Sequence, residues 1–377
     1  MNFESVTSIV VILLSAQTLF LIILTLRKSR KNISYRLLSL VLCFFLLTLL
    51  NFGCFYILLI RGYTDWIPYL QLELIYAFGP SIYLYTKSLT DKSFQFQKQD
   101  WLHFALPLLE LLYYRTPLFR NGAISLSKNV VTSENLLYQM VQWGGMISLV
   151  VYLALTFYVL LNYKKWLRNN FSNFENRTLL WLEKPVLIYL SFCIVWIPTR
   201  IIDILLLNET MKPYYFNIGF LSLAVITCWI GFKGYLTTHS STVGFLKNKT
   251  TNPIQEFTEA DLTTTAKSLQ QKMLAEKLYL DSDLSLSAFS KSTGYSQKKI
   301  SRALNHSLRL NFHEFVNNYR VDAFKQNLQK EEFAHLSLLG IAFESGFGSK
   351  SSFNLVFKSH TGLTPKKYKE RLIKNKS

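Results

Sequence analysis

Seven stretches of about 20 mostly apolar residues follow one another in the first 236 positions, near 6–26, 37–60, 69–89, 101–115, 136–162, 185–207 and 214–236. At a helical rise of about 1.5 Å per residue, such a run matches the roughly 30 Å apolar thickness of a bilayer. Lipid offers no hydrogen-bond partner to an open backbone, so a segment of this kind closes its bonds internally as a helix. Residues 1–236 are therefore expected to form a seven-span, all-α membrane bundle. The whole-chain figures, 50% hydrophobic residues and a mean hydropathy of +0.19, average this half with a soluble one.

The loops between the runs divide by charge. Arg27, Lys28, Arg30, Lys31 and Arg36 follow the first run; Lys87, Lys92 and Lys98 follow the third; Lys164, Lys165, Arg168, Arg177 and Lys184 follow the fifth. The opposite loops hold Arg61, then Arg115, Arg120 and Lys128, then Lys212, so the division is thirteen to five. Cytoplasmic loops carry the excess of Lys and Arg, which predicts an outer N-terminus and a cytoplasmic C-terminus in a bacterial inner membrane. The first run lacks a basic leader and is too long for a signal-peptide core, so it is read as a retained span. The weakest of the seven is 101–115, which is short and contains Pro107 and Glu110, while Gly79-Pro80 predicts a kink in the third. Cys43, Cys54, Cys193 and Cys228 all fall in apolar runs with no CxxC pair, which leaves disulfide and metal readings without support.

Residues 237–264, rich in Thr and Ser with Pro253, read as a linker, and residues 265–377 as a soluble helical domain. From Thr265 to Ser377 there are 19 Lys or Arg against 9 Asp or Glu, an excess that suits a polyanionic partner such as double-stranded DNA.

Within that domain the most specific text runs from Leu338 to Tyr368. Leu338, Ile341 and Ala342 give one helix an apolar side, Gly346 supplies the positive φ that ends it, and Ser349 caps the next. Phe353 and Phe357, four apart, face inward on that second helix and leave Lys350, Ser351, Asn354 and Lys358 outside. Thr364-Pro365 opens a final helix. An earlier stretch repeats the plan. Ser285 caps a helix, Gly294 turns the chain and Ser296 caps a second helix, while Leu286, Phe289, Ile300 and Leu304 form the core between them. Its exposed set is Gln297, Lys298, Ser301, Arg302 and Asn305. A long amphipathic helix, about Phe312 to Leu328, joins the two units.

Residues 270–373 thereby resemble the DNA-binding domain of AraC-type transcriptional regulators, including the linking-helix segment Asn318-Tyr319-Arg320-Val321. Leu278-Tyr-Leu-Asp281 before the first unit is similar to membrane-anchored members of that family. The resemblance implies a rigid linking helix that sets two recognition helices in successive major grooves. It implies DNA-facing roles for Lys298, Ser301 and Arg302, and for Lys350, Ser351 and Asn354. Two departures stand out: Phe324 where a small residue is common, and Leu355 where many members carry a polar one.

Ionisable residues inside apolar runs are costly and so mark candidate sites. Glu73, Glu110, Arg200 and Asp203 fall in the same outer layer of the expected bundle, where Arg200 would anchor an anionic group of an unknown small-molecule or envelope signal. The leading expectation is a membrane-embedded, one-component transcription regulator, with DNA and the lipid bilayer as partners and homodimerisation left open. The alternative is a transporter or channel with a DNA-binding regulatory tail. No nucleophile–base set, phosphate loop or metal motif points to an enzyme, and no cofactor is expected.

Overall fold

A computed structural model of the chain describes residues 3–30, 32–60, 73–91, 93–119, 121, 133–207, 212–238 and 257–374. Two compact units emerge, one of Met1–Leu161 with Leu179–Lys247, the other of Asn162–Thr178 with Asn248–Ser377. Among the described residues all regular structure is helical, apart from a lone antiparallel bridge between Phe171 and Ser285.

The first unit is built from α1 (Phe3–Ser29), α2 (Ile33–Ile60), α3 (Ile75–Thr90), α4 (Ala105–Tyr113), most of α5 (Ser133–Asn170), α6 (Leu180–Leu206) and α7 (Lys212–Thr237). Five of these contain segments long and apolar enough to cross a membrane: Val6–Ser29, Ile33–Gly53, Leu136–Asn170, Leu180–Leu206 and Asn217–Thr237. Their outward faces expose Leu13, Phe20, Tyr158, Val195 and Leu205, which water would penalise and lipid tails accept. Inward, Val11, Leu38, Val41, Leu42 and Leu49 are buried. Gly231 lets α7 approach closely, since a Cβ there would meet Leu21 and Leu42. Thr18 and Ser15 donate to carbonyls one turn back, so their hydroxyls are satisfied within the helix.

The third and fourth expected spans differ from the rest. α3 has 16 residues and α4 only nine, preceded by a 3₁₀ turn over Lys98–Phe104. Nine residues rise about 14 Å, less than half the apolar thickness. Glu110 joins the two. Its carboxylate turns to the start of α3 and accepts from the backbone N–H of Ile75 (3.0 Å) and Tyr76 (3.1 Å), and from the Tyr114 hydroxyl (2.7 Å). The segment is organised around capping its neighbour. Arg61, Arg120 and Lys128, and the linker over 239–256, lie outside the described residues.

In the second unit, α8 (Glu259–Ala275) begins inside the stretch read as linker, because Thr258 caps it by accepting from Asp261 N–H. Leu262, Ala266, Leu269 and Met273 then bury against Phe289, Ile300 and Leu304. Next come α9 (Leu286–Thr293), α10 (Gln297–Ala303), α11 (Phe312–Asn327), α12 (Leu338–Glu344), α13 (Lys350–Thr361) and α14 (Pro365–Lys374). α11 is shared by two cores. Phe312, Phe315 and Val316 join the first, while Val321 and Phe324 join a second with Ile341, Phe347, Phe353 and Phe357. Phe324 fills that second core, its ring 4.7 Å from Phe353 and 5.1 Å from Phe357.

Candidate nucleic-acid interface

Each recognition helix is set by its own punctuation. In the first unit Ser285 accepts from Ala288 N–H to start α9, Gly294 at φ +76° ends it, and Ser296 accepts from Lys299 N–H to start α10. In the second, Ser337 accepts from Gly340 N–H, Gly346 turns at φ +92°, and Ser349 accepts from Ser352 N–H. The repeated order of cap, helix, glycine, cap and helix is a helix-turn-helix made twice. α10 closes with a π turn over Leu304–Leu308, and Arg309 takes a left-handed conformation at φ 55° before α11.

The outer faces carry the expected residues. Gln297, Lys298, Arg302 and Asn305 are exposed on and just beyond α10, with Ser301 half-buried between them. Lys350, Ser351, Asn354 and Lys358 are exposed along α13. Lys299 differs: it is half-buried and pairs with Asp261 at 2.9 Å, so it tethers α10 to α8 and does not join that face. Leu355 is 62% exposed on α13, where an apolar side chain suits a thymine methyl group better than a phosphate. Amides, a guanidinium and ammonium groups on two short helices are the donors that base edges and phosphates require.

The same unit holds a buried polar knot that the residue pattern did not reveal. Arg320 is fully buried in the middle of α11. It donates from Nε to the Tyr279 carbonyl (2.8 Å), from Nη1 to Asn317 Oδ1 (3.2 Å), and from Nη2 to the Asp281 carbonyl (2.7 Å) and Ser172 Oγ (2.9 Å). Burial pulls its pKa down to about 10, against the opposing influence of Asp281, Glu175 and Asp283, so it stays cationic near neutrality. Tyr279 and Asp281 belong to the segment singled out before the first unit. The one available signal was their co-occurrence with the linking-helix arginine.

In the first unit of the fold, Glu73 and Arg200 both line a cavity of about 230 Å³, along with Gln142, Trp143, Tyr189 and Trp196. The Arg200 guanidinium lies 5.8 Å from the rings of Trp143 and of Trp196. The Gln142 amide nitrogen, Nε2, is buried without a hydrogen-bond partner in the protein. Glu110, occupied at the α3 terminus, and Asp203, fully buried on α6, do not line the cavity. The structure thus brings two of the four candidate residues together. His103 donates or accepts at 2.8 Å with the Tyr152 hydroxyl. Among the described residues no cluster of metal-ligating side chains occurs.

Comparison with known proteins agrees with this geometry. Residues 289–371 match the family model described as a helix-turn-helix domain. An uncharacterized HTH-type transcriptional regulator of Staphylococcus aureus strain COL is 36% identical over 93 residues, 25% of this chain and 12% of that protein. Its counterpart from strain MRSA252 is 34% identical over the same length. The Proteus vulgaris protein named Probable transcription factor PqrA is 27% identical over 99 residues, covering 26% of this chain and 79% of that one. The chain therefore spans about an eighth of the length of the staphylococcal relatives it matches. No solved structure matches. The domain over residues 289–371 is a helix-turn-helix domain.

Proposed function

We propose that this chain is a one-component transcription regulator embedded in the inner membrane of a bacterium. An odd number of spans puts its N-terminus outside and its DNA-binding unit in the cytoplasm, and a signal received by the membrane unit changes how that unit engages DNA. The observation that carries the reading is the presence, on one chain, of lipid-suited helices and of two helix-turn-helix units with polar, basic recognition faces. The thirteen-to-five division of loop charge supports the orientation. So does the packing of Asn162–Thr178 with the C-terminal unit, since a loop and a domain that touch lie on one side of a membrane.

The signal fits the cavity lined by Glu73 and Arg200. Its class is a small molecule with an apolar, ring-bearing body for Trp143 and Trp196 and an anionic head for Arg200, with the Gln142 amide donating to the head. Reporter fusions test the topology. A cytoplasm-active reporter fused at Ser377 and a periplasm-active one fused near Asn121 are expected to work. A Ser377 fusion active only in the periplasm would overturn orientation and DNA binding together.

A further inference from the structure

The segment between α5 and α6 is bound into the DNA-binding unit by contacts to three of its parts. Ser172, fully buried, donates its N–H to the Leu284 carbonyl at 3.1 Å, and Phe171 bridges Ser285, the residue that caps α9. The Ser172 carbonyl lies 2.7 Å from His313 Nδ1 and accepts from Asn317 Nδ2 at 2.9 Å, while its hydroxyl accepts from Arg320, so one residue engages three successive turns of α11. Phe174 packs its ring 4.7 Å from the His313 ring, and Arg177 pairs with Asp283 at 3.7 Å. On the side of the second helix-turn-helix, Asn173 sits against Gly348, where a Cβ would run into its amide. Gly348 directly precedes Ser349, the cap of α13.

We infer that residues 171–178 are a docking segment, and that its engagement with the seam formed by Leu284-Ser285, α11 and Gly348 fixes the placement of the two recognition helices relative to each other. Two observations point this way. The contacts reach Ser285, the cap of α9, Gly348, the residue before the cap of α13, and the linking helix between them, the elements whose relation sets the spacing read along DNA. The segment is continuous with α5 before it and closely followed by α6, both long apolar helices, so displacement of either helix pulls on it through the chain. Engagement also carries a cost, because both Glu175 carboxylate oxygens are buried without a hydrogen-bond partner. The occupant is a piece of this same chain. The inference depends on the proposed DNA-binding function only for its consequence in the cell.

The test uses the full chain in lipid nanodiscs with its four cysteines replaced by Ala, spin-labelled at Gln297 on α10 and Ser351 on α13 for distance measurement. Ser172→Pro removes the donor to Leu284. The parent chain is expected to give one narrow distance distribution, and Ser172→Pro a broadened or split one. Ser172→Ala, which deletes only the acceptor for Arg320, is expected to shift it the same way by less, and it carries the test alone if the proline variant folds poorly. In cells, Ser172→Pro is expected to lose occupancy at the chromosomal sites the parent chain binds. Distance distributions unchanged in the variants would overturn the inference. A parent chain that occupies no DNA would instead overturn the proposed function and leave the distance result to stand by itself.

Discussion

Arg320 of the linking helix donates to the carbonyl of Tyr279 at 2.8 Å, and Gly346, the turn of the second helix-turn-helix, lies so close to that same carbonyl that a Cβ there would run into it. A short segment ahead of the first unit is thus held between the helix that joins the two units and the turn that opens the second. The two lobes share a fastening as well as a helix, which is what a reader of two successive grooves requires.

The Gly346 turn has a measurable signature. Its φ of +92° disfavours any side chain, and a Cβ would run into the Tyr279 carbonyl and the Leu280 Cα. Gly346→Ala is expected to destabilise the unit by roughly 2–5 kcal/mol, combining left-handed strain with overpacking. At Gly294 and Gly362, where nothing lies within 4 Å, the same change is expected to cost about 1–2 kcal/mol. Thermal unfolding of the three variants checks the ranking, and equal losses would show that close approach at Gly346 is unimportant.

Much of the helix-turn-helix pair was legible in the sequence because its instructions are local. Ser285, Ser296 and Ser349 cap within three residues of themselves, Gly294 and Gly346 turn where the apolar pattern stops, and Phe353 and Phe357 mark the inner face of α13. What escaped was set by distant residues. Nothing near Glu110 announces that its carboxylate caps α3, some 35 positions earlier in the chain. Nothing near Ser172 announces Arg320, 148 positions away. The start of α8 was missed for another reason: Thr and Ser suggested a linker, although Thr258 with Asp261 is a helix-opening pair.

Burial against Phe174 draws the His313 imidazole below its ordinary value of 6.5, outweighing the upward pull of the Ser172 carbonyl and of Glu175, while Arg320 and Arg168 add to the depression. The unfolded chain therefore binds more protons in mildly acid solution, and stability should fall as pH drops through about 6.5 toward the lower folded value. His313→Gln cannot titrate and is expected to flatten that dependence. Unfolding of the full chain followed from about pH 7.5 to about pH 5.5 reads the slope. A slope identical in parent and variant would remove His313 as its source.

On the recognition faces, Arg302→Ala and Asn354→Ala are each expected to relax sequence preference, by about 1–3 kcal/mol where a good base contact is lost. Lys350→Ala and Lys358→Ala should weaken binding uniformly and reduce its salt dependence, as phosphate contacts do. Competition between enriched and random duplexes distinguishes the two behaviours. If Arg302 and Asn354 variants lose equally on both, those side chains position the backbone.

Arg200, beside Trp143 and Trp196 in the cavity of the first unit, is expected to govern the response and not DNA binding. Arg200→Ala should lock transcription of a responsive gene in one state while the same chromosomal sites remain occupied. A variant that still responds to the parent's inducing condition would remove Arg200 from signal reception.

The most direct measurement is recovery of genomic fragments on the full chain in lipid nanodiscs, followed by sequencing. The account predicts a small set of enriched fragments sharing two recognition sites about one helical turn apart, near 10–10.5 base pairs, with enrichment abolished in the Arg302→Ala, Asn354→Ala double variant. Recovery no different from that of an unrelated membrane protein, or enrichment untouched by the double variant, would contradict it.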